Sequence, residues 1–243
     1  MRKKSMAMVL AGLIMALGIT GIISDRGHAA EATTGVDFVS AYVWRGITFN
    51  DGMVAQPYLD VASDGFGINV WGNLDIDDYD NTLDDGEFSE VDLTLSYGFS
   101  LDPVEISLGY IEYLFPEGGA GTREVYAGLS MALPAGLSAG VTGYYDFDEV
   151  EDYYVNASLG YAVDVSDRLT LGAGAAVGMA GEDASAGKDS GLHEYLLSVD
   201  GAYAVTDAVG INAFLAYTDN FDEDVLPDQD TDLFGGVGIS WSF

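Results

Sequence analysis

His193 is the only histidine beyond residue 30, and it stands beside Glu194 with Ser190 and Ser198 nearby. A serine and a histidine side by side supply the nucleophile and base of an ester hydrolase. Neither serine sits in a nucleophile motif, however, and alternation through 192–205 turns His193 outward, toward lipid. It reads as an interfacial residue, and no enzymatic activity is expected. Carboxylates are far more numerous. Asp75, Asp77, Asp78, Asp80, Asp84, Asp85 and Glu87 form one run, and Asp222, Glu223, Asp224, Asp228, Asp230 and Asp232 form another. Oxygen ligands suit Ca²⁺, but a calcium loop of the EF-hand type needs a glycine at its sixth position, and neither run has one. Solvated acidic loops are the simpler account, with loose divalent bridging to lipopolysaccharide as their one further role. The chain's 32 glycines form no phosphate-binding loop between a strand and a helix. No cofactor or resident metal is therefore expected.

The elements that must position these residues are strands. From residue 35 onward no helical period is sustained, and apolar residues alternate with polar ones over about ten residues at a time. Val91, Leu93, Leu95, Tyr97 and Phe99, for example, alternate with Asp92, Thr94, Ser96 and Gly98. Twelve segments are predicted, near 36–47, 53–62, 66–76, 88–100, 103–114, 122–133, 137–147, 152–164, 168–180, 192–205, 208–218 and 232–243. Their connections fall into two sets. Those near 63–65, 101–102, 134–136, 166–167 and 206–207 are short. Those near 48–52, 77–87, 115–121, 148–151, 181–191 and 219–231 are mostly longer and acidic. Short turns on one side and longer loops on the other, with an even strand number, are the pattern of bacterial outer-membrane barrels. The fold class predicted is thus all-β: a transmembrane antiparallel barrel of about twelve strands, with both termini on the periplasmic side.

The N-terminus agrees with export. Arg2, Lys3 and Lys4 precede an apolar stretch from Met6 to Ile23, followed by small residues around Ala29-Ala30 and Ala32. This layout predicts a signal peptide over 1–30, cleaved after Ala30 or Ala32, with the barrel over 31–243. The absence of cysteine excludes a lipoprotein anchor and disulfides. The whole chain carries a formal charge of −32, and beyond residue 30 only Arg45, Arg123, Arg168 and Lys188 are basic, against 39 acids. Such a surface repels phosphate backbones, which excludes nucleic acid as a partner. It equally excludes adsorption to anionic lipid through basic residues.

A soluble β-sandwich would set charged residues on its solvent face. Here the face opposite the bulky residues is Gly, Ser, Thr and Asn with scattered acids, which suits a narrow polar lumen. Tyr42, Trp44, Tyr97, Phe99, Tyr110, Tyr145, Tyr153, Tyr161 and Tyr217 lie near strand ends, where aromatic girdles form. With Tyr42 and Trp44 facing lipid, alternation turns Arg45 inward. Asp60, Glu90, Asp92, Glu105 and Glu124 turn inward by the same rule. So do Glu194 and Asp200, with Gln56, Asn69, Asn73, Asn156 and Asn212. Rings of acids favour cations in pores. Passive diffusion of small solutes through a narrow, cation-leaning channel is the expected function, with Arg45 paired to carboxylates at the constriction. The competing account is a filled lumen in which Arg45 only neutralises buried acids.

Two segments carry resemblances. Leu233, Gly235, Val237, Ile239, Trp241 and Phe243 share one face of the last strand, and Phe243 is the terminal residue. This resembles the C-terminal signal of outer-membrane proteins, which implies recognition by the barrel-assembly machinery through Val237, Ile239, Trp241 and Phe243. The stretch Ser40-Ala41-Tyr42-Val43-Trp44-Arg45-Gly46-Ile47, with Gln56-Pro57 after it, resembles the opening of TorF-like porins, a barrel family of poorly defined function. That resemblance implies an outer-membrane barrel of porin type and supplies no substrate; the expected setting is the outer membrane of a Gram-negative bacterium, with lipid, lipopolysaccharide and small solutes as partners. The rival classes are a non-conducting structural or adhesive barrel acting through its acidic outer loops, and a lipid hydrolase resembling outer-membrane phospholipase, which would depend on His193.

Overall fold

The protein is described by a computed structural model covering residues 30–77 and 86–243. The predicted signal peptide up to residue 29 and the loop acids Asp78, Asp80, Asp84 and Asp85 lie outside the described residues. The strands are β1 (Glu31–Val39), β2 (Tyr42–Trp44), β3 (Ile47–Asn50), β4 (Val54–Ser63), β5 (Phe66–Asp75), β6 (Phe88–Leu101) and β7 (Val104–Leu114). They continue as β8 (Thr122–Ala132), β9 (Leu137–Asp146), β10 (Tyr153–Ser166), β11 (Leu169–Ala180), β12 (Gly191–Ala204), β13 (Val209–Asn220) and β14 (Leu233–Ser242). Twelve of them, β1 and β4 to β14, close into a single barrel with every neighbouring pair antiparallel. Closure falls on β1, which pairs with β14 through Thr33↔Ser242 and with β4 through Thr33↔Asp60.

Alternation sorts the two faces as expected. Leu59, Leu95, Leu129, Leu159 and Leu215 point outward and are exposed. On the last strand Val237, Ile239 and Trp241 are more than half exposed, and Phe243 is exposed as well. An apolar outer band over a polar interior is the membrane-barrel arrangement and the inverse of a soluble one. The short turns also stand where the sequence puts them. Asp64 and Gly65 between β4 and β5 have φ of 50° and 86°, a left-handed pair that reverses the chain in two residues.

The first predicted strand is different. The wall strand occupies Glu31–Val39, and residues 42–50 leave the wall to form a separate two-stranded hairpin, β2 with β3. The departure is anchored by Ser40, whose amide donates to the Gly235 carbonyl, while its Oγ accepts from the Gly235 amide. Arg45 and Gly46, with φ of 50° and 77°, make the tight return. Tyr42 and Trp44 therefore do not face lipid. Tyr42 is 7% exposed and packs with Val39, Trp71, Leu196 and Phe234, a small apolar core inside the barrel. Alternation identified the segment as extended. It could not say that its apolar side would be buried against the inner wall.

One glycine shows how the wall makes room for aromatic side chains in the lumen. Gly109 on β7 pairs with Tyr126 on β8, and a Cβ there would collide with the Tyr126 ring. Tyr126 in turn stands 5.6 Å from Tyr144, and Tyr144 6.1 Å from Tyr154, giving a row of rings across β8, β9 and β10. Gly109→Val is expected to overpack this row and destabilise the barrel by about 1–3 kcal/mol. A lower temperature for the gel-mobility shift of the folded barrel would show it, and an unchanged midpoint would mean that the ring row tolerates displacement.

Candidate functional site

The hairpin that leaves β1 crosses the lumen. In the twelve-strand ring β9 stands opposite β1, flanked by β8 and β10. Arg45, at the hairpin tip, reaches that opposite wall. Its Nη1 and Nη2 donate to the two carboxylate oxygens of Glu124 on β8, each at 2.8 Å. Tyr113 on β7 donates to Glu124 Oε2 at 2.8 Å. A two-pronged guanidinium–carboxylate pair fixes orientation as well as distance.

The rest of the hairpin is pinned independently. Tyr42 Oη donates to Glu90 Oε2 on β6 at 2.8 Å, and Asn50 Nδ2 donates to Asp75 Oδ1 on β5 at 2.7 Å. The Thr48 amide donates to Gln229 Oε1 at 2.9 Å, which ties the hairpin to the β13–β14 loop. At Gly46 the chain runs so close to Glu194 and Leu226 that a Cβ would meet both. The hairpin is thus a strut held by both walls and one outer loop.

Of the sequence-predicted lumen residues, Arg45 and Glu124 are brought together, and Glu90 and Asp92 lie beside them, with Asp92 in electrostatic reach of both Glu90 and Glu124. Asp60 is on the inner face but nearer the short turns, where it accepts from Asn69 Nδ2 at 2.8 Å. Glu105 is on the inner face of β7 two residues beyond its turn, exposed and apart from the cluster. Gln56 donates to Asn73 at 3.1 Å, Asn156 is buried, and Asn212 donates to Asp37 at 3.0 Å. Asp200 lies across from Gly172.

His193 requires a correction. It does not face lipid but is 1% exposed inside the barrel. The β11–β12 pairing jumps from Val177↔Tyr195 to Met179↔Leu192, so His193 and Glu194 together oppose Gly178. This is a β-bulge, which inserts one extra residue and re-aims side chains. Both residues turn inward, and His193 Nδ1 meets Glu194 Oε2 at 2.8 Å, while Tyr154 donates to Glu194 Oε1. Among the described residues, His193 Nε2 and Ser198 Oγ have no hydrogen-bond partner. The imidazole is thus not joined to Ser198.

Sequence reasoning missed the aromatic half of the site. The Arg45 guanidinium carbon lies 4.1 Å from the centre of the Trp44 ring, 4.5 Å from Tyr144 and 4.2 Å from Tyr154. Parity alone could have found one of these rings and Tyr113, the hydrogen-bond partner of Glu124. Tyr113 shares its face with Glu105, and Tyr154 shares its face with Asn156. Toward the outer mouth, acids tie down the loops: Asp152, just before β10, accepts from the amides of Asp183 and Ala184 in the β11–β12 loop, and Asp146, at the end of β9, accepts from those of Asp148 and Val150 in the connection that follows.

A sequence model of a bacterial protein family of unknown function (Gcw_chp) matches residues 25–227. The chain belongs to that family. Among solved structures it is similar in fold to the COG4313 outer membrane channel from Pseudomonas putida F1, with a TM-score of 0.59 at 12% identity over 90% of this chain and 97% of that one. It is similar to the KdgM porin, with a TM-score of 0.57 at 11% identity over 87% and 99% of the two chains. The NanC porin gives 0.53 at 13% identity over 88% and 99%. No curated protein sequence matches the chain. These findings support the barrel fold implied by the resemblance at Tyr42 to Gly46, without confirming the TorF-like name.

Replacing Arg45 with Met leaves Glu124 buried without its partner, which costs about 3–5 kcal/mol for a fully buried pair. Arg45→Met is therefore expected to lower the unfolding midpoint of the barrel strongly. The double variant Arg45→Met/Glu124→Gln is expected to recover most of the loss, because no unpaired charge remains. Equal loss in both variants would show that packing around Arg45, not charge, supports the site.

Proposed function

We propose that this protein is an outer-membrane, porin-like channel for passive diffusion of small solutes, narrow and cation-preferring, with the β2–β3 hairpin and Arg45 setting its constriction. One observation carries the reading. A closed barrel with an apolar outer face encloses a lumen lined by many carboxylates and crossed by a single arginine. Arg45 is matched by Glu124, so every carboxylate among Asp37, Asp60, Glu90 and Asp92 that is ionised leaves the lumen net negative. Inward-facing acids of this kind concentrate cations and repel anions.

The contrast with the porins of similar fold sharpens the solute class. KdgM has been solved in complex with disordered oligogalacturonate, a polyanion. The lumen of the present barrel has the wrong sign for such a cargo, which favours cationic or neutral small molecules. The hairpin's reach across the lumen also gives weight to a second reading, a non-conducting barrel that acts at the cell surface through its acidic outer loops.

Single-channel recording in planar bilayers under a KCl gradient separates the two. Steady, cation-selective steps are expected. Arg45→Ala is expected to raise conductance and strengthen cation preference, since it removes the only positive charge at the constriction. Unchanged selectivity in that variant would remove Arg45 from the selectivity device, and a folded barrel without current would favour the surface reading. Preference should also weaken with salt, as the screening length shrinks from about 10 Å at 0.1 M to about 3 Å at 1 M.

A further inference from the structure

The surroundings of Arg45 have the composition of a binding site for a cation like its own guanidinium. Faces of Trp44, Tyr144 and Tyr154 lie 4.1–4.5 Å from the guanidinium carbon. Glu124 closes the remaining edge through two 2.8 Å hydrogen bonds, and Tyr113 holds that carboxylate in place. Aromatic faces with a correctly placed carboxylate are how guanidinium and quaternary ammonium ligands are recognised. A small inorganic cation, strongly hydrated, gains much less from ring faces.

Most of this cage does not belong to the hairpin. Glu124, Tyr113, Tyr144 and Tyr154 stand on β7 to β10 of the wall, on strands fixed by their own ladder pairing. The hairpin, for its part, does not depend on Arg45 alone, since Tyr42, Thr48 and Asn50 each bind it to a different element. Arg45 also sits at φ 50°, a backbone region disfavoured for a residue with a Cβ. Rotation of one long side chain, with the backbone at rest, is enough to empty the cage.

We infer that Arg45 is a tethered occupant of a lumen site for guanidinium-type organic cations, and that a cation in transit takes the site when the Arg45 side chain swings out. The inference rests on the pore reading for the route by which the cation arrives, but not for the site. The chemistry of displacement is an exchange of like for like. The incoming guanidinium takes over the Glu124 oxygens and the ring faces, and the charge of the site is unchanged.

The test uses the full chain, purified and folded in detergent. Arg45→Ala empties the cage, and guanidinium chloride at about 10 mM, below denaturing levels, is compared with the same concentration of sodium chloride. Guanidinium is expected to raise the unfolding midpoint of Arg45→Ala by about 2–4 °C over the sodium control. It should do less in the wild type, where Arg45 holds the site, and nothing in Arg45→Ala/Glu124→Gln. Where Arg45→Ala does not fold, Arg45→Gln takes its place. No excess shift over sodium in the folded variant overturns the site. In bilayers, methylguanidinium is expected to cause brief blockades of wild-type currents that sodium does not. A conducting wild type without them overturns displacement. A wild type that carries no current overturns the pore reading, and the guanidinium shift in the Arg45 variant then decides the site by itself.

Discussion

Hydrocarbon offers no hydrogen bonds, so a sheet that crosses a membrane must satisfy every backbone donor and acceptor within itself. Here β1 meets that demand by pairing with β14 on one edge and β4 on the other, which leaves the ring without an open edge. Much else follows from closure. Strict alternation gives each wall strand one lipid face and one lumen face, so acids on the outward face are confined to strand ends, as at Glu112 and Asp219. The chain's other acids collect inside and in the loops. The interior must then hold bulky and charged groups in a limited cross-section, and pairs such as Gly109 with Tyr126 supply the space.

Charge inside the ring is the second consequence. Most lumen acids find partial compensation from neutral donors: Asn69 serves Asp60, Asn212 serves Asp37, and Tyr42 serves Glu90. Glu124 is paired with a guanidinium, the one arginine contact of a lumen acid among the described residues. A buried ion pair contributes little net stability compared with apolar residues of the same volume, because both charges give up hydration. What the Arg45–Glu124 pair supplies is position. It holds the guanidinium against β8, on the far side of the ring from the strand at which the hairpin departs.

The barrel was legible in the sequence because period-two patterning over ten-residue segments survives local exceptions. Eleven segments fall on wall strands within a few residues at each end, and the alternation of short and long connections is the observed one. The exceptions are places where a local departure resets the parity. The left-handed Arg45-Gly46 turn folds an alternating, aromatic stretch into the lumen, where its apolar side chains find an inner core rather than lipid. The bulge at His193 and Glu194 adds one residue and sends both inward. Tyr113, Tyr144 and Tyr154 were hidden for another reason. Tyrosine near a strand end suits both an interfacial girdle and a lumen that can satisfy its hydroxyl, and only parity against Asn156 or Glu105 separates the two. Arg45 was placed correctly in the lumen, but by a premise that the structure reverses.

The arrangement separates two properties that a wall residue would have to combine. The hairpin is bound to β5, β6 and the β13–β14 loop through groups other than Arg45, and in the proposed channel its backbone would set the free cross-section. The Arg45 side chain sets the charge at that cross-section and is attached through rotatable bonds. Changing the charge alone therefore leaves the size of the opening largely intact, and reshaping the hairpin would alter size while Glu124 and its ring neighbours stay on the wall. Acids at the outer mouth, fixed in their loops by bonds such as those to Asp152 and Asp146, add a field that acts before the constriction is reached. In the proposed channel, cations would be enriched at the entrance by many carboxylates and would then meet one guanidinium, so that attraction and discrimination would lie at different depths of the same barrel.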